Sequence, residues 1–250
     1  MKKEINIFLT AVLFFTRIPV KLLGAYNSDM LNKASKYLPL IGYMVAGISA
    51  GVFYISNMFF SVPVSVIFSI IASVLTTGAF HEDGLADTFD AFGGGWNKEQ
   101  KLKIMKDSRI GTYGSIALIL AILFKFILLS EYHLNLIIPV IFVSQILSRL
   151  SPVVLIYFLN YVRIDDSSKS KPVGEGISLS SLLIAIIFAF APLMFFGIRT
   201  LIIIPIIIIT QFSLAFWFKK HLGGYTGDTL GASQQISELI ILLSFLILWN

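Results

Sequence analysis

Residues 63–95 read PVSVIFSIIASVLTTGAFHEDGLADTFDAFGGG and join an apolar run to four carboxylates within nine residues. The apolar part, 63–80, is near the length that a tilted helix needs to cross about 30 Å of hydrocarbon. A charged side chain costs about 2.5–3.5 kcal/mol at the centre of a spanning helix and less at its end. Acidic residues placed where a span ends therefore indicate a functional site at the membrane face.

The composition of the whole chain is that of a membrane protein. Of its 250 residues, 56% are hydrophobic and only 13% are charged, whereas a soluble domain carries about 25% charged residues. The mean hydropathy is +0.86. The chain has no cysteine, which excludes disulfides, thiolate metal sites and thiol nucleophiles. We therefore predict an all-α fold, a polytopic transmembrane helix bundle in a single domain over residues 1–250.

Seven apolar runs predict the spans of this bundle, and the last of them is short for a span. They lie at about 38–60, 63–80, 111–130, 136–159, 177–197, 200–218 and 236–249. An eighth apolar run at the N-terminus is followed by Thr16-Arg17-Ile18-Pro19 and by no small-residue cleavage site. We therefore predict about seven spans and a retained hydrophobic segment, residues 5–20, that either spans the membrane or is interfacial.

The basic residues concentrate in alternate loops. Thirteen lysines and arginines lie in four loops, at 21–37, 81–110, 160–176 and 219–235. The connections on the other side carry only Arg199. The positive-inside rule places the thirteen, and with them the acidic stretch, in the cytoplasm. This distribution accounts for the net charge of +5, so we predict contact with the lipid bilayer and no nucleic acid partner.

Asp83, Asp87 and Asp90 have the spacing of one helical face, since they stand at i, i+4 and i+7. Three carboxylates that point the same way repel one another unless a cation lies between them, and magnesium prefers such oxygen ligands. We therefore predict that these aspartates bind Mg²⁺. The helix that carries them is expected to continue the span at 63–80, and Gly93-Gly94-Gly95 is expected to end it.

His81 and Glu82 point elsewhere on this helix and are candidate general bases. For His81 alone, an interfacial histidine without a catalytic role is an equally good interpretation. An ordinary solvated loop is the plainer alternative for the whole stretch. Such a loop would need neither the one-faced spacing nor the apolar Leu85, Ala86 and Phe89 between the acids.

Residues 98–114, KEQKLKIMKDSRIGTYG, form a basic motif that leads into the next span. The first part, 98–105, predicts an amphipathic helix on the membrane surface, with Leu102 and Met105 towards the lipid. The second part places cations beside glycines at a helix N-terminus, where free N–H groups favour a phosphate. We predict four substrate contacts there, the phosphate-binding Lys106 and Arg109 and the further contacts Asp107 and Ser108.

Residues 223–232, GGYTGDTLGA, form a glycine-rich motif that the charge pattern places on the same face as the acidic stretch. A turn between two spans is the default interpretation of such a sequence. Asp228 is predicted to complete the metal site or to bind a ribose. Gly227 and Glu238 are predicted to be further substrate contacts.

Two ionisable residues lie inside predicted spans. An arginine within a span is a candidate functional residue, and Gln145 and Ser148 give Arg149 a polar surrounding. We therefore predict that Arg149 binds a substrate phosphate. Lys125 is expected to snorkel or to pair with a neighbouring helix.

These motifs together resemble the cobalamin-5'-phosphate synthase (adenosylcobinamide-GDP ribazoletransferase) family. The family patterns H-x-D-G-L-A-D-T-x-D, I-M-K-D-S-R-x-G-x-x-G and G-x-T-G-D-x-x-G-A are matched by residues 81–90, 104–114 and 224–232. The N-terminal F-x-T-R-x-P-V is matched by 14–20, and Arg149 and Tyr161-Val162-Arg163 also fit. The polar segment 164–171 departs from the family pattern, so a role for that loop is not carried over.

The resemblance implies a transferase that performs the last assembly step of the cobamide coenzyme. A ribose hydroxyl of α-ribazole, or of its 5′-phosphate, would attack adenosylcobinamide-GDP and release GMP. The resemblance further implies a prokaryotic cytoplasmic membrane, with the active site facing the cytoplasm and Mg²⁺ as cofactor. Partners compatible with this assignment are a second copy of the chain or other cobamide-assembly enzymes.

Two other functions remain open from the residues alone. A CDP-alcohol phosphotransferase also has an aspartate-rich helix at the cytoplasmic face, but its D-x-x-D-G-x-x-A-R pattern is not met at Asp83-Gly84. A secondary transporter could use the acids for ion coupling. Transporters often show internal repeats and midplane sites, whereas these acids are expected at the membrane edge.

The absence of cysteine makes the predicted orientation directly testable. Single cysteines replace Ser61, in an outer connection, and Glu99, in the basic motif. We expect a membrane-impermeant maleimide to label Ser61→Cys in intact cells and Glu99→Cys only after permeabilisation. The reverse pattern would contradict the predicted orientation.

Overall fold

The computed structural model describes residues 2–24, 28–162 and 176–249, which form α-helices without a β-strand in these ranges. The helices are α1 (Lys2–Phe15), α2 (Ser28–Ala34), α3 (Leu38–Ser56), α4 (Val62–Thr77), α5 (Phe80–Gly94), α6 (Lys98–Met105), α7 (Thr112–Glu131), α8 (Leu134–Ser148), α9 (Leu150–Phe158), α10 (Leu179–Phe190), α11 (Ile203–Leu222) and α12 (Gly227–Trp249). The predicted all-α fold is confirmed. Arg163 and the loop 164–171 lie outside the described residues.

The described helices include several that can cross a membrane, so the chain is a multi-pass membrane protein. Five stretches are long and apolar enough: Met30–Ser56, Thr112–Glu131, Leu134–Phe158, Thr200–Leu222 and Gly227–Trp249. A sixth span is obtained if α4 and α5 are taken together. The run predicted at 177–197 forms a shorter apolar helix, Leu179–Met194.

Two ends of the chain differ from the expected segments. The last span was predicted to be short, but α12 begins at Gly227 and has 23 residues, so much of the glycine-rich motif is helical rather than a turn. At the N-terminus, α1 has 14 residues, which gives about 21 Å at 1.5 Å per residue. That length is shorter than the hydrocarbon core, which favours the interfacial alternative for this segment.

α12 lies at the centre of the bundle, because it packs against α5, α7, α8, α9 and α11. The span formed by α8 and α9 is the most buried of the five, whereas α7 and the span that contains α11 expose most of their apolar side chains. Exposed leucine, isoleucine and phenylalanine side chains are the expected lipid contacts of a bundle whose solvent is hydrocarbon. The polar residues of α12 therefore lie inside the protein.

The chain turns sharply between α4 and α5, where a continuous helix was predicted. Gly78 and Ala79 have φ values of +66° and +59°, and the two helix axes differ by 87°. Glycine adopts this left-handed conformation without steric cost, but alanine does so only at a cost of about 1–2 kcal/mol. The backbone N–H of Arg17 donates to the carbonyl of Thr76 at 2.7 Å, and the Arg17 side chain packs on Gly78. The N-terminal motif thus holds the turn that redirects the acidic helix.

The acidic helix α5 crosses α12 at two glycines. A Cβ on Gly84 would lie 2.7 Å from the carbonyl oxygen of Asp228, and a Cβ on Gly231 would lie 3.2 Å from the Cα of Gly84. A larger residue at Gly84 would therefore separate the two backbones. This close approach brings the acids of α5 next to the first turn of α12.

The basic helix α6 packs against the protein, so its predicted lipid-facing orientation is wrong. Leu102 and Met105 are buried in a cluster with Ala91 of α5 and Leu222 of α11. Lys101 is also buried, and its ammonium lies 5.7 Å from the ring centroid of Phe92. The apolar positions of α6 thus complete the end of the bundle around the acidic helix.

The crossing predicts opposite effects of the same substitution at two helical glycines. Gly84→Ala should lower the Tm in detergent, because overpacking typically costs about 1–3 kcal/mol. Gly51→Ala, whose Cβ would meet nothing within 4 Å, should leave the Tm unchanged or raise it, since alanine favours a helix by about 0.5–1 kcal/mol. An equal response of the two variants would contradict the close approach.

Candidate active site

Three of the predicted metal ligands lie around the crossing of α5 and α12. Asp83 is exposed and Asp87 and Asp228 are half-buried, and Asp228 lies within electrostatic reach of both other carboxylates. Burial, together with the charges of Asp83 and Asp90, raises the pKa of Asp87 to about 6. The protein therefore gathers negative charge at a place where a cation would relieve the repulsion.

The carboxylates at the crossing are oxygen ligands of the kind that Mg²⁺ prefers. In the described ranges no three aspartate, glutamate, histidine or cysteine side chains are close enough together to enclose one ion. Mg²⁺ does not require such an enclosure, because it usually keeps several waters and binds one or two carboxylates together with substrate phosphates. Asp83, Asp87 and Asp228 provide carboxylates of this type, and Mg²⁺ binding by them stays a prediction.

Asp90 is engaged in a different contact from the other aspartates. It is buried, and its two oxygens accept hydrogen bonds from the backbone N–H groups of Gly111 at 2.6 Å and Gly114 at 2.8 Å. A side chain on either glycine would collide with the carboxylate. Asp90 thus caps the N-terminus of α7, and it occupies two N–H groups of the motif that was predicted to bind a phosphate.

Two of the three predicted phosphate-binding residues, Lys106 and Arg109, lie in the loop whose end is held by Asp90. Arg109 is exposed and its guanidinium donates to the carboxylate of Asp107 at 2.6 Å. This hydrogen bond lowers the pKa of Asp107 to about 2. Lys106 and Ser108 are also exposed. The loop therefore presents polar groups to solvent beside the C-terminal half of the acidic helix, and phosphate binding by them stays a prediction.

The other two charged residues with a predicted substrate role, Arg149 and Glu238, lie in the interior of the bundle. Glu238 pairs with Lys125 at 2.9 Å, and both side chains are buried, so the predicted pairing of Lys125 with a neighbouring helix is confirmed. Arg149 is only 1% exposed and donates to the side chain and carbonyl of Gln145, each at 2.6 Å. Gln145 in turn donates to Glu238 at 2.8 Å. These hydrogen bonds join Arg149 and Glu238 in one buried polar network.

The candidate base Glu82 lies at the end of the same network. Gln235 donates to one oxygen of Glu82 at 3.2 Å and to Gln234 at 2.8 Å, and Gln234 donates to Glu238 at 3.1 Å. The other oxygen of Glu82 has no hydrogen-bond partner among the residues that the structure describes. The linking role of the two glutamines was missed from the sequence, although the i, i+4 spacing of Gln234 and Glu238 is visible there.

The second candidate base, His81, faces a cavity of about 380 Å³ that adjoins the crossing. Asp83, Gly227 and Asp228 line the same cavity. The structure thus brings together one candidate base, two candidate metal ligands and one predicted substrate contact. It separates them from Glu82, Arg149 and Glu238, which lie in the buried network.

The fold and the site define a multi-pass helical membrane protein whose carboxylates meet beside a cavity and a basic loop. The family model described as Cobalamin-5-phosphate synthase matches residues 7–246, and the chain belongs to this family. An adenosylcobinamide-GDP ribazoletransferase from Shewanella woodyi is 46% identical over 98% of this chain and 97% of its own length. One from Shewanella amazonensis is 45% identical over 100% of this chain and 98% of its own length. No solved structure matches the chain.

The contacts of Asp90 predict a structural effect that metal binding alone would not give. Asp90→Ala should speed hydrogen exchange in the segment 106–115 at least about tenfold, because it removes hydrogen bonds to a charged acceptor worth about 1.5–3 kcal/mol each. Mass spectrometry of the purified protein without added metal measures this exchange. Asp83→Asn is the control and should leave the exchange unchanged. Equal exchange in Asp90→Ala and the wild type would contradict the capping role.

Proposed function

We propose that this protein joins adenosylcobinamide-GDP to α-ribazole, or to its 5′-phosphate, in a Mg²⁺-dependent transfer that releases GMP. The names of its relatives give the donor and the ribazole group. The observation that carries the proposal is that Asp83 and Asp228 line one cavity, with Asp87 within electrostatic reach of Asp228. Phosphoryl transfer depends mainly on positioning and charge neutralisation, which suits such a cluster.

In the proposed reaction a ribose hydroxyl forms a new bond to the phosphorus on the cobinamide side of the diphosphate. The bond from this phosphorus to the oxygen of GMP breaks, and the hydroxyl proton passes to a base. One or two of the carboxylates of Asp83, Asp87 and Asp228 would hold a Mg²⁺ ion together with substrate phosphates. When bound, such an ion neutralises charge on the attacked phosphate and on the leaving oxygen.

The geometry favours His81 over Glu82 as the base in this proposal. His81 lines the cavity together with Asp83 and Asp228, and Glu82 is not among the lining residues. Glu82 is held in the buried network by Gln235. A general base has to lie within hydrogen-bond distance of the proton that it removes, and only His81 meets the cavity.

The exposed loop of Lys106 and Arg109 is proposed to bind the diphosphate. Arg109 can exchange the carboxylate of Asp107 for a phosphate. Both groups offer a pair of oxygens that accept two hydrogen bonds from one guanidinium. Asp90 contributes by fixing the end of this loop at Gly111. On the charge pattern of the loops, the site is proposed to face the cytoplasm.

The proposal is tested by GMP release from adenosylcobinamide-GDP and α-ribazole, with detergent-purified protein in Mg²⁺ or in EDTA. We expect GMP and a cobamide only with Mg²⁺. Asp83→Asn and Asp228→Asn should each reduce kcat by about 100-fold or more, the scale of a lost electrostatic contact to a transition state. Glu99→Gln removes an exposed carboxylate of α6 and should retain full activity.

Two outcomes would contradict the proposal. The first is no GMP from a folded sample, with CMP released instead from CDP-alcohols. The second is near wild-type activity of both aspartate variants. The Tm of each variant is measured in parallel, so that loss of the fold is distinguished from loss of chemistry.

A further inference from the structure

The cavity beside the acids has two chemically different sides. Its polar side is formed by His81, Asp83 and Asp228, at the crossing of α5 and α12. The rest of the lining is mostly apolar and comes largely from α1, α3, α5 and α9, through Phe14, Phe15, Leu38, Phe80, Pro152 and Ile156. A ligand that fills the cavity therefore needs an apolar end and, at its other end, a polar group that can meet carboxylates or their metal.

The apolar side is built from aromatic rings. The centroid of the Phe80 ring lies 5.5 Å from that of Phe14 and 5.8 Å from that of Phe15, and both pairs are edge-to-face. Ring edges and faces arranged in this way offer favourable contacts to a further flat aromatic ring. The wall therefore suits a planar aromatic group better than a flexible chain.

The size of the cavity distinguishes the two substrates of the proposed reaction. Its volume of about 380 Å³ lies near the lower end of the range of about 300–1,000 Å³ for small-molecule sites. A single nucleoside fits such a volume. A corrin macrocycle with its side chains is several times larger than a nucleoside, so the corrin of the donor cannot enter. The guanosine of the donor has the size of a nucleoside, but an apolar wall would leave the amide and amino groups of guanine without hydrogen-bond partners.

We propose that this cavity is the binding subsite for the aromatic base of the acceptor nucleoside, the ribazole. The inference rests on the proposed function and assigns its acceptor substrate to this cavity. The base lies among Phe14, Phe15 and Phe80, and its ribose extends to the crossing of α5 and α12. This orientation directs a ribose hydroxyl to His81 and the carboxylates. The macrocyclic donor stays outside the bundle and presents only its diphosphate.

An acyl chain of a lipid is the other candidate for an apolar cavity in a membrane protein. The aromatic wall argues against it. The ring edges and faces of Phe14, Phe15 and Phe80 favour a flat aromatic group. A flexible acyl chain gains no such contact and loses rotational freedom when it is held in a cavity.

The subsite is tested with two variants of its wall in the full-length protein. Phe14→Ala removes a ring from the wall, and Leu31→Trp adds bulk at another residue that lines the cavity. Each should raise the KM for α-ribazole about tenfold or more and leave the KM for adenosylcobinamide-GDP within about twofold. Phe59→Ala and Leu75→Trp make the same changes at exposed positions and should alter neither KM.

Equilibrium dialysis of α-ribazole, without donor and without metal, gives a readout that is independent of turnover. Wild-type protein should bind the nucleoside, both wall variants should bind it at least about tenfold more weakly, and free benzimidazole should compete. If turnover is normal but neither wall variant weakens binding or raises the α-ribazole KM, the subsite is wrong and the proposed function stands. If the donor KM rises instead, the cavity belongs to the donor.

If the wild type releases no GMP but binds α-ribazole in a manner that the wall variants weaken, the proposed reaction is wrong and the subsite stands. If the wild type neither turns over nor binds α-ribazole, both are overturned. Displacement of bound α-ribazole by phospholipid vesicles, but not by benzimidazole, would assign the cavity to a lipid and also overturn the subsite.

Discussion

The arrangement of this protein depends on one close backbone contact, the crossing of α5 and α12 at Gly84 and Gly231. Helices with side chains at the contact pack about 8–10 Å apart, whereas glycines allow backbones to approach more closely. Here a Cβ on Gly84 would lie 2.7 Å from the carbonyl of Asp228. The acids of two helices that are distant in sequence can share one site only because no side chain separates them.

The buried polar network determines how α12 packs against α5 and its other neighbours. Lys125 and Arg149 balance the charges of Glu82 and Glu238 inside the bundle, and glutamines connect them across α5, α8 and α12. Polar groups in a membrane interior are costly unless they are paired. A helix that rotated or slid would leave charges without partners, so the network admits essentially one arrangement of α12 against its neighbours. Asp228, in the first turn of α12, is thereby held in place.

Asp90 shows that residues whose spacing correctly predicts one helix face can still contact different neighbouring helices. Its spacing from Asp83 and Asp87 placed all three on one face, and they do lie on the same helix. Near its start α5 meets α12 at Gly84, and near its end Asp90 meets the N–H groups of Gly111 and Gly114. Helical periodicity gives the direction of a side chain, but not the neighbour that it meets.

The sequence by itself determined the helical membrane fold, the acidic helix, the family motifs and the glycine that ends α5, because these follow from local composition and spacing. It did not determine the 87° turn after α4, which depends on Arg17 packing on Gly78 from a distant segment. The helical state of residues 227–235 and the burial of Leu102 and Met105 were likewise decided by packing. Only the tertiary structure placed Asp228 beside Asp83, because contacts between distant segments depend on which surfaces fit.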